Sequence, residues 1–211
     1  MAQTVEALVN QALIAIGYPV RIGDLYEGSE ASNAAVEVYA QTRDELLDAG
    51  DWPLARRANV ALTLLKGPPP AGGYSPLEPW GPTYPPPGWL YEYAYPDDMI
   101  DLKAIHPQPS MIFDLDPKPA TWRVDNDNSL VDRNGAATVQ KKVILSNTKN
   151  AVATYIGQVT DPQLWEPGFT KVMVATLSKK LAVALGHSPQ LGQAEMAEAA
   201  RDLPPAAAER G

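Results

Sequence analysis

The run DNDNSLVDRNGA, residues 125 to 136, carries the most explicit chemistry in the chain, because Asp125, Asp127 and Ser129 fall at positions one, three and five of a calcium loop. Oxygen ligands at that alternation suit a hard cation. The sixth position, however, is Leu130 where such a loop turns on glycine, and the twelfth is Ala136 where it needs a bidentate glutamate. Turn-forming Asp and Asn between two strands account for the run instead. Asp97-Asp98 and Asp114/Asp116 could divide acid and base work between paired carboxylates, but they read as solvated turn residues, with Asp98 free to cap the next element. His106 precedes a proline in an expected turn and His187 sits at an expected helix end, with no ligand pattern near either. Arg56-Arg57 could meet phosphate, although Asp48 and Asp51 beside them favour local ion pairs. Gly-rich phosphate loops, nucleophile elbows and metal-spaced histidine pairs are absent from the sequence, and so is cysteine. The expectation is a protein with no catalytic, cofactor-binding or metal-binding residues, and not an enzyme.

Charge narrows the partners. A formal net charge of −8 and a pI near 4.7 oppose DNA binding as the main task, since phosphate affinity rests on roughly 6–10 basic contacts. The first apolar run contains Glu6, Asn10 and Gln11, unlike the core of a signal peptide. Apolar segments all fall short of the ~20 residues a membrane span needs. A soluble protein made in a cytoplasm is expected, with no membrane partner.

The elements that must position these residues are set by periodicity. Residues 4–16 place Val5, Leu8, Val9, Ala12, Leu13 and Ile16 on one helical face, with Thr4 as N-cap and Gly17 as stop. A second helix fits 29–48, capped by Ser29. Ala34, Ala35, Val38, Tyr39, Thr42 and Leu46 form its apolar stripe, and Glu37, Gln41, Asp44, Glu45 and Asp48 face the other way. Neither helix is stable alone in water, so the two are expected to pack together. Gly50 ends the second helix, and Trp52-Pro53 is read as a structural hinge, because proline pushes Trp52 toward extended geometry. A mostly extended segment is expected from Leu54 to Leu64.

Residues 66–90 show no period and hold stiff polyproline stretches, with Tyr74, Trp80, Tyr84 and Trp89 spaced among them. These four are the candidate interaction residues, since aromatics on rigid scaffolding lose little entropy on docking. From about 91 to 157 the pattern is β. Candidate strands lie at 111–115, 121–125, 129–132, 138–145 and 151–157, with turns at 96–98, 116–119, 125–128, 133–136 and 146–150. A helix led by Pro167 spans 166–186, with Phe169, Val172, Met173, Thr176, Leu177, Lys180 (or Leu181) and Ala184 on one side. Another is expected over 188–203, and a mobile tail over 204–211. The fold class is α+β, one domain overall: terminal helices in a bundle layer, a central antiparallel β region and a long Pro-rich loop. Its parts are a helical half with the first extended segment (1–65), the loop (66–90), the β region (91–160) and the C-terminal helices (161–203).

Three blocks of this sequence resemble the head-to-tail adaptor family of tailed bacteriophages, specifically the tail tubular protein A group. The first is ALIAIGYPV followed by IGDLYEGSEASNAAVEVYAQTRDELLDAGDWPLARRANVAL. The second is GWLYEYAYPDDMIDLKAI, an aromatic strand closing on a Pro-Asp turn. The third is VILSNTKNAVATYIGQVTDPQLWEPGFTKVMVATLSKKLAVAL, with Asp-Pro, then Trp-x-Pro-x-Phe leading into a helix. Between the first two blocks the proline–aromatic stretch 67–88 is longer than the family usually carries, and the C-terminal Ala-Glu helix is not diagnostic.

The resemblance implies a non-catalytic virion protein at the neck, forming a homo-oligomeric ring, typically of twelve, beneath the portal protein. Such a ring extends the DNA channel and offers an attachment platform to the tail nozzle or other tail proteins. Genomic DNA would pass through its lumen without specific binding. Twelve copies at −8 each carry about −100 formally, which repels rather than grips phosphate. The helical layer would build the ring wall, the C-terminal segment would embrace the portal, and the β region would face the tail. The alternatives are a related tail terminator or head-completion protein and, from another class, a small-molecule binding domain or enzyme whose site would join His106, Asp97 and Asp98 in a cleft.

Overall fold

The computed structural model describes residues 3–68, 83–108, 119–128 and 140–186. The fold is α+β: three helices and two sheets among these residues, with every described pairing of the larger sheet antiparallel. The chain divides into two compact units, residues 1–56 with 156–211 and residues 57–155. The expected strands 111–115 and 129–132 and the helix 188–203 lie outside the described residues.

The helical unit is built by α1 (Val5–Ala15), α2 (Glu30–Ala49) and α3 (Pro167–Ala184). Thr4 and Ser29 cap the first two as expected, accepting hydrogen bonds from the Ala7 and Ser32 amides. Gly17 (φ +70°) closes α1 in a Schellman turn, in which its own amide donates to Ile14 O and that of Tyr18 to Leu13 O. Asn10, a polar residue on α1, fixes the loop beyond it: its Nδ2 donates to Ile22 O at 2.9 Å and its Oδ1 accepts from Ile22 N at 2.8 Å. Against expectation, α1 and α2 do not chiefly pack on each other; each packs mainly against α3. That helix therefore buries a wide face, including Phe169, Val172, Met173, Leu177 and Leu181. Leu181 takes the core position, and Lys180 reaches out to Glu45 at 2.6 Å.

In the β unit one sheet runs β1 (Arg56–Ala61), β7 (Ala151–Gly157), β4 (Met99–Pro107). The other runs β2 (Leu64–Lys66), β3 (Tyr91–Ala94), β6 (Lys141–Ser146), β5 (Trp122–Asp127). The chain crosses between sheets at residues 62–63, where Leu62 N donates to Ala151 O and Thr63 O accepts from Ala94 N. Both sheets contribute to one core: Tyr93 and Ile144 from the larger, Leu102, Ile105, Ala153 and Tyr155 from the smaller. β7 is central in its sheet and buried along almost its whole length, as a strand covered on both faces should be.

Four sequence expectations change here. Lys66, assigned to the proline-rich loop, ends β2. Asp125 and Asp127, assigned to a turn, belong to β5. His106, assigned to a turn region, lies within β4, the longest described strand, which the candidate strands omit. Asp98 and His106 are separated by eight residues of mostly extended chain, roughly 25 Å, so no single cleft joins them.

Candidate interaction surfaces

The hinge residues lie just before the point where the chain passes from the helical unit to the β unit. Pro53 opens a single 3-10 turn (Pro53–Ala55) and holds Trp52 extended, at φ −79° and ψ 118°. The Trp52 ring is buried in the helical unit. Its Nε1 donates to Leu46 O at 2.8 Å, and its ring meets Phe169 edge-on at 5.0 Å. Gly50 is required by space: a Cβ there would lie 2.5 Å from Trp52 Nε1. Trp165 mirrors this arrangement, donating to Val159 O at 3.0 Å and meeting Phe169 at 4.9 Å, and Tyr39 stacks on its other side at 6.4 Å. Trp52 of the first sequence block and Trp165 and Phe169 of the third thus form one aromatic cluster, worth ~0.5–1.5 kcal/mol per ring pair beyond burial. Beside it, α1 and α3 border a groove of about 520 Å³, lined by Gln3, Gln11, Trp165, Thr170 and Val174 among others.

Of the four aromatics proposed for docking, Tyr74 and Trp80 lie outside the described residues. Tyr84 and Trp89 are half-buried, and the chain between them is fastened to the β unit. Asn147, in the β6–β7 turn, accepts from Leu90 N at 2.9 Å and donates to Gly88 O at 3.4 Å. The guanidinium of Arg123 stands 5.9 Å from the Trp89 ring centroid. Trp89 therefore serves the β unit's own packing as well as its surface.

Sequence reasoning misses an ionic cluster. Lys66 from β2, Glu92 from β3 and Asp127 from β5 converge with no more than 4% of any of them exposed. The Lys66 ammonium bonds Asp127 Oδ2 directly and lies 3.4 Å from Glu92 Oε2. Charges removed from water this completely persist only when paired. Up to 61 positions separate the partners, so local pattern gives no sign of them. The one available hint is Glu92, a charged residue between two tyrosines. Of the other calcium-loop positions, Ser129 lies outside the described residues and Asp125 pairs with Arg123, and no cluster of metal-ligating side chains occurs among the described residues.

Of the two acidic pairs, Asp114/Asp116 lies outside the described residues, and Asp97-Asp98 separates by role. Asp98 accepts from the Tyr155 hydroxyl at 2.9 Å. Burial first, then the hydrogen bond and charge of Asp98, pushes the Tyr155 phenol up to about 12. Asp97 is exposed and borders a cleft of about 510 Å³ beside the end of the β3–β6 ladder. There Leu65, Tyr95 and Pro96 make an apolar floor, and Lys141 and Lys142 stand exposed at the rim, Lys142 Nζ 4.1 Å above the Tyr95 ring.

Large apolar side chains are also exposed on the helical unit, among them Tyr26 (79%), Val183 (68%), Leu164 (65%) and Val36 (40%). No helix among the described residues is long and apolar enough to cross a membrane. No protein-family model matches the chain, and no curated protein matches it either.

Proposed function

We propose that this protein is a structural virion component, the head-to-tail adaptor of a tailed phage. In this reading it acts without catalysis. Copies assemble into a ring under the portal, twelve being the number the resemblance implies, and the ring continues the DNA channel and receives the tail. The observation that carries the reading is the order and spacing of the three sequence blocks, which together span most of the chain. Two of the blocks also meet in space: the Trp-Pro of the first and the Trp-x-Pro-x-Phe of the third build one aromatic cluster.

Surface chemistry supports the same reading. A closed ring uses two different patches on each protomer, and the chain offers an apolar-and-acidic helical surface and a lysine-rimmed cleft in the β unit. A strongly acidic chain also suits a lumen through which DNA must slide. The test is electron microscopy of purified portal mixed with the protein. Added ring density on one face of the portal is expected; portal particles unchanged at saturating protein would overturn the assignment.

A further inference from the structure

We infer that the lysine-rimmed cleft of the β unit is the socket for α2 of a second copy, so that the two surfaces together form the head-to-tail contact around a ring. The inference rests on the ring-forming reading above and identifies the surfaces that reading leaves open.

The socket is built by the strand ends. β3 and β6 pair through Ala94 and Val143, so the next residues, Tyr95 and Lys142, stand side by side past the ladder. The cation of Lys142 covers the Tyr95 ring at 4.1 Å, and the Tyr95 hydroxyl is anchored to Ile100 O at 3.2 Å. Leu65, 40% exposed on the edge strand β2, extends the apolar floor. Among the described residues Lys141 and Lys142 take part in no ion pair, in a chain whose acids outnumber its bases by 25 to 17. Asp97 is the one acidic residue among the described residues of the rim, and it fixes which way round an incoming charge must sit.

The matching plug is the solvent face of α2. Val36 is 40% exposed, and Ala40 one turn later is exposed too. Glu37 and Gln41 run beside them at the same four-residue spacing, so an apolar strip and a polar strip lie next to each other. Glu37 makes no ion pair among the described residues, whereas Glu45 further along is occupied by Lys180. Val36 and Ala40 fit the Leu65–Tyr95–Pro96 floor, and Glu37 fits the Lys141–Lys142 rim. Because plug and socket are different patches of one protomer, their union propagates head to tail and closes only as a ring.

The full-length chain is tested by charge reversal, with self-association followed by sedimentation velocity and portal-bound rings counted by electron microscopy. Glu37→Lys and Lys142→Glu should each weaken association by at least about 10-fold while leaving circular dichroism and melting unchanged. The double variant should recover to within about threefold of the natural chain. An equimolar mixture of the two single variants should recover as well, because every contact in an alternating ring then joins opposite charges. As a second measurement, the cysteine-free chain allows Glu37→Cys and Lys142→Cys proteins to be mixed with a short bis-maleimide, which should link one copy to another. Single reversals without effect, or losses that neither the double variant nor the mixture repairs, would overturn the socket while leaving ring formation by the natural chain intact. A natural chain that stays monomeric even with portal would overturn both readings together.

Discussion

Inside the helical unit the buried polar groups are mostly neutral and settled close by in sequence. Trp52 and Trp165 each donate to a carbonyl six residues upstream, and the Ser178 hydroxyl donates to Ala175 O. Inside the β unit they are mostly ionic and settled at long range, with Lys66 held between Glu92 and Asp127 from two other strands. A neutral donor satisfied by its own turn needs only the right local chain path. An ammonium between two carboxylates on different strands is fully compensated only when the sheet has brought all three side chains together. The buried indole and hydroxyl donors of the helical unit are therefore satisfied by nearby chain, whereas the polar interior of the β unit is complete only when its larger sheet is.

The two largest effects break each interior at its centre. Trp52→Ala should destabilise the protein by ~3–5 kcal/mol, since it removes a buried indole and the edge-on partner of Phe169. Urea denaturation measures it, and a change below ~1 kcal/mol would show that the ring is dispensable to the helical core. Lys66→Met should cost a similar ~3–5 kcal/mol by taking the Lys66 ammonium away from two buried carboxylates. The two variants differ in what rescues them. Acid lowers the negative charge that the Lys66 ammonium balances, so the Lys66→Met deficit should shrink as pH falls below 7, and the Trp52→Ala deficit should not. Equal pH responses would erase the distinction between the two interiors.

That distinction also decides how much of the molecule is legible in its sequence. The caps Thr4 and Ser29, the stop at Gly17, the turn at Trp52-Pro53 and the extents of α1, α2, α3 and β7 all obey local rules, and the structure has them. β4 escapes because Met99, Leu102 and Ile105 are its buried residues, a spacing of three that imitates neither a clean strand nor a long helix. Lys66 escapes because the prolines after it extend the look of a loop backward, and Asp127 because Asp-Asn runs usually turn. The aromatic cluster is half visible: Trp52 stands out at its hinge, but that Phe169 sits between it and Trp165 depends on α3 returning from more than a hundred residues away. The docking aromatics stand out by their spacing alone. Spacing cannot show that Trp89 also packs beside Arg123 and that its segment is fastened through Asn147.

A smaller effect sharpens the comparison within the β unit. Tyr155→Phe keeps the ring and removes the hydroxyl that donates to Asp98, at a cost of about 1–2 kcal/mol at neutral pH. Folding also holds the Tyr155 proton up to about 12, against an ordinary phenol near 10. The stability this contributes is present below pH 10 and is lost as pH rises from 10 through 12. The natural chain should therefore lose stability over that window more steeply than Tyr155→Phe does, which thermal melts at stepped pH would register. Parallel curves would mean that the hydroxyl is solvated in the folded protein.

The smallest effect belongs to Tyr39, the helical unit's counterpart to Tyr155 and the exception to its locally settled polar groups. Its phenol is likewise pushed up to about 12, here by burial above all, and its hydroxyl has no hydrogen-bond partner among the described residues. The ring contributes through its stack on Trp165, and the hydroxyl carries a desolvation cost with nothing returned. Tyr39→Phe should accordingly leave stability unchanged or raise it by up to ~1 kcal/mol at pH 7. Like Tyr155→Phe, it should flatten the loss between pH 10 and 12, because one proton held only by the folded state is gone. The pair then separates cleanly at neutral pH: one hydroxyl stabilises through a carboxylate, and the other is a burden on its core. A loss of more than ~1 kcal/mol in Tyr39→Phe would show that the hydroxyl is bonded in solution, by an ordered water inside the helical unit.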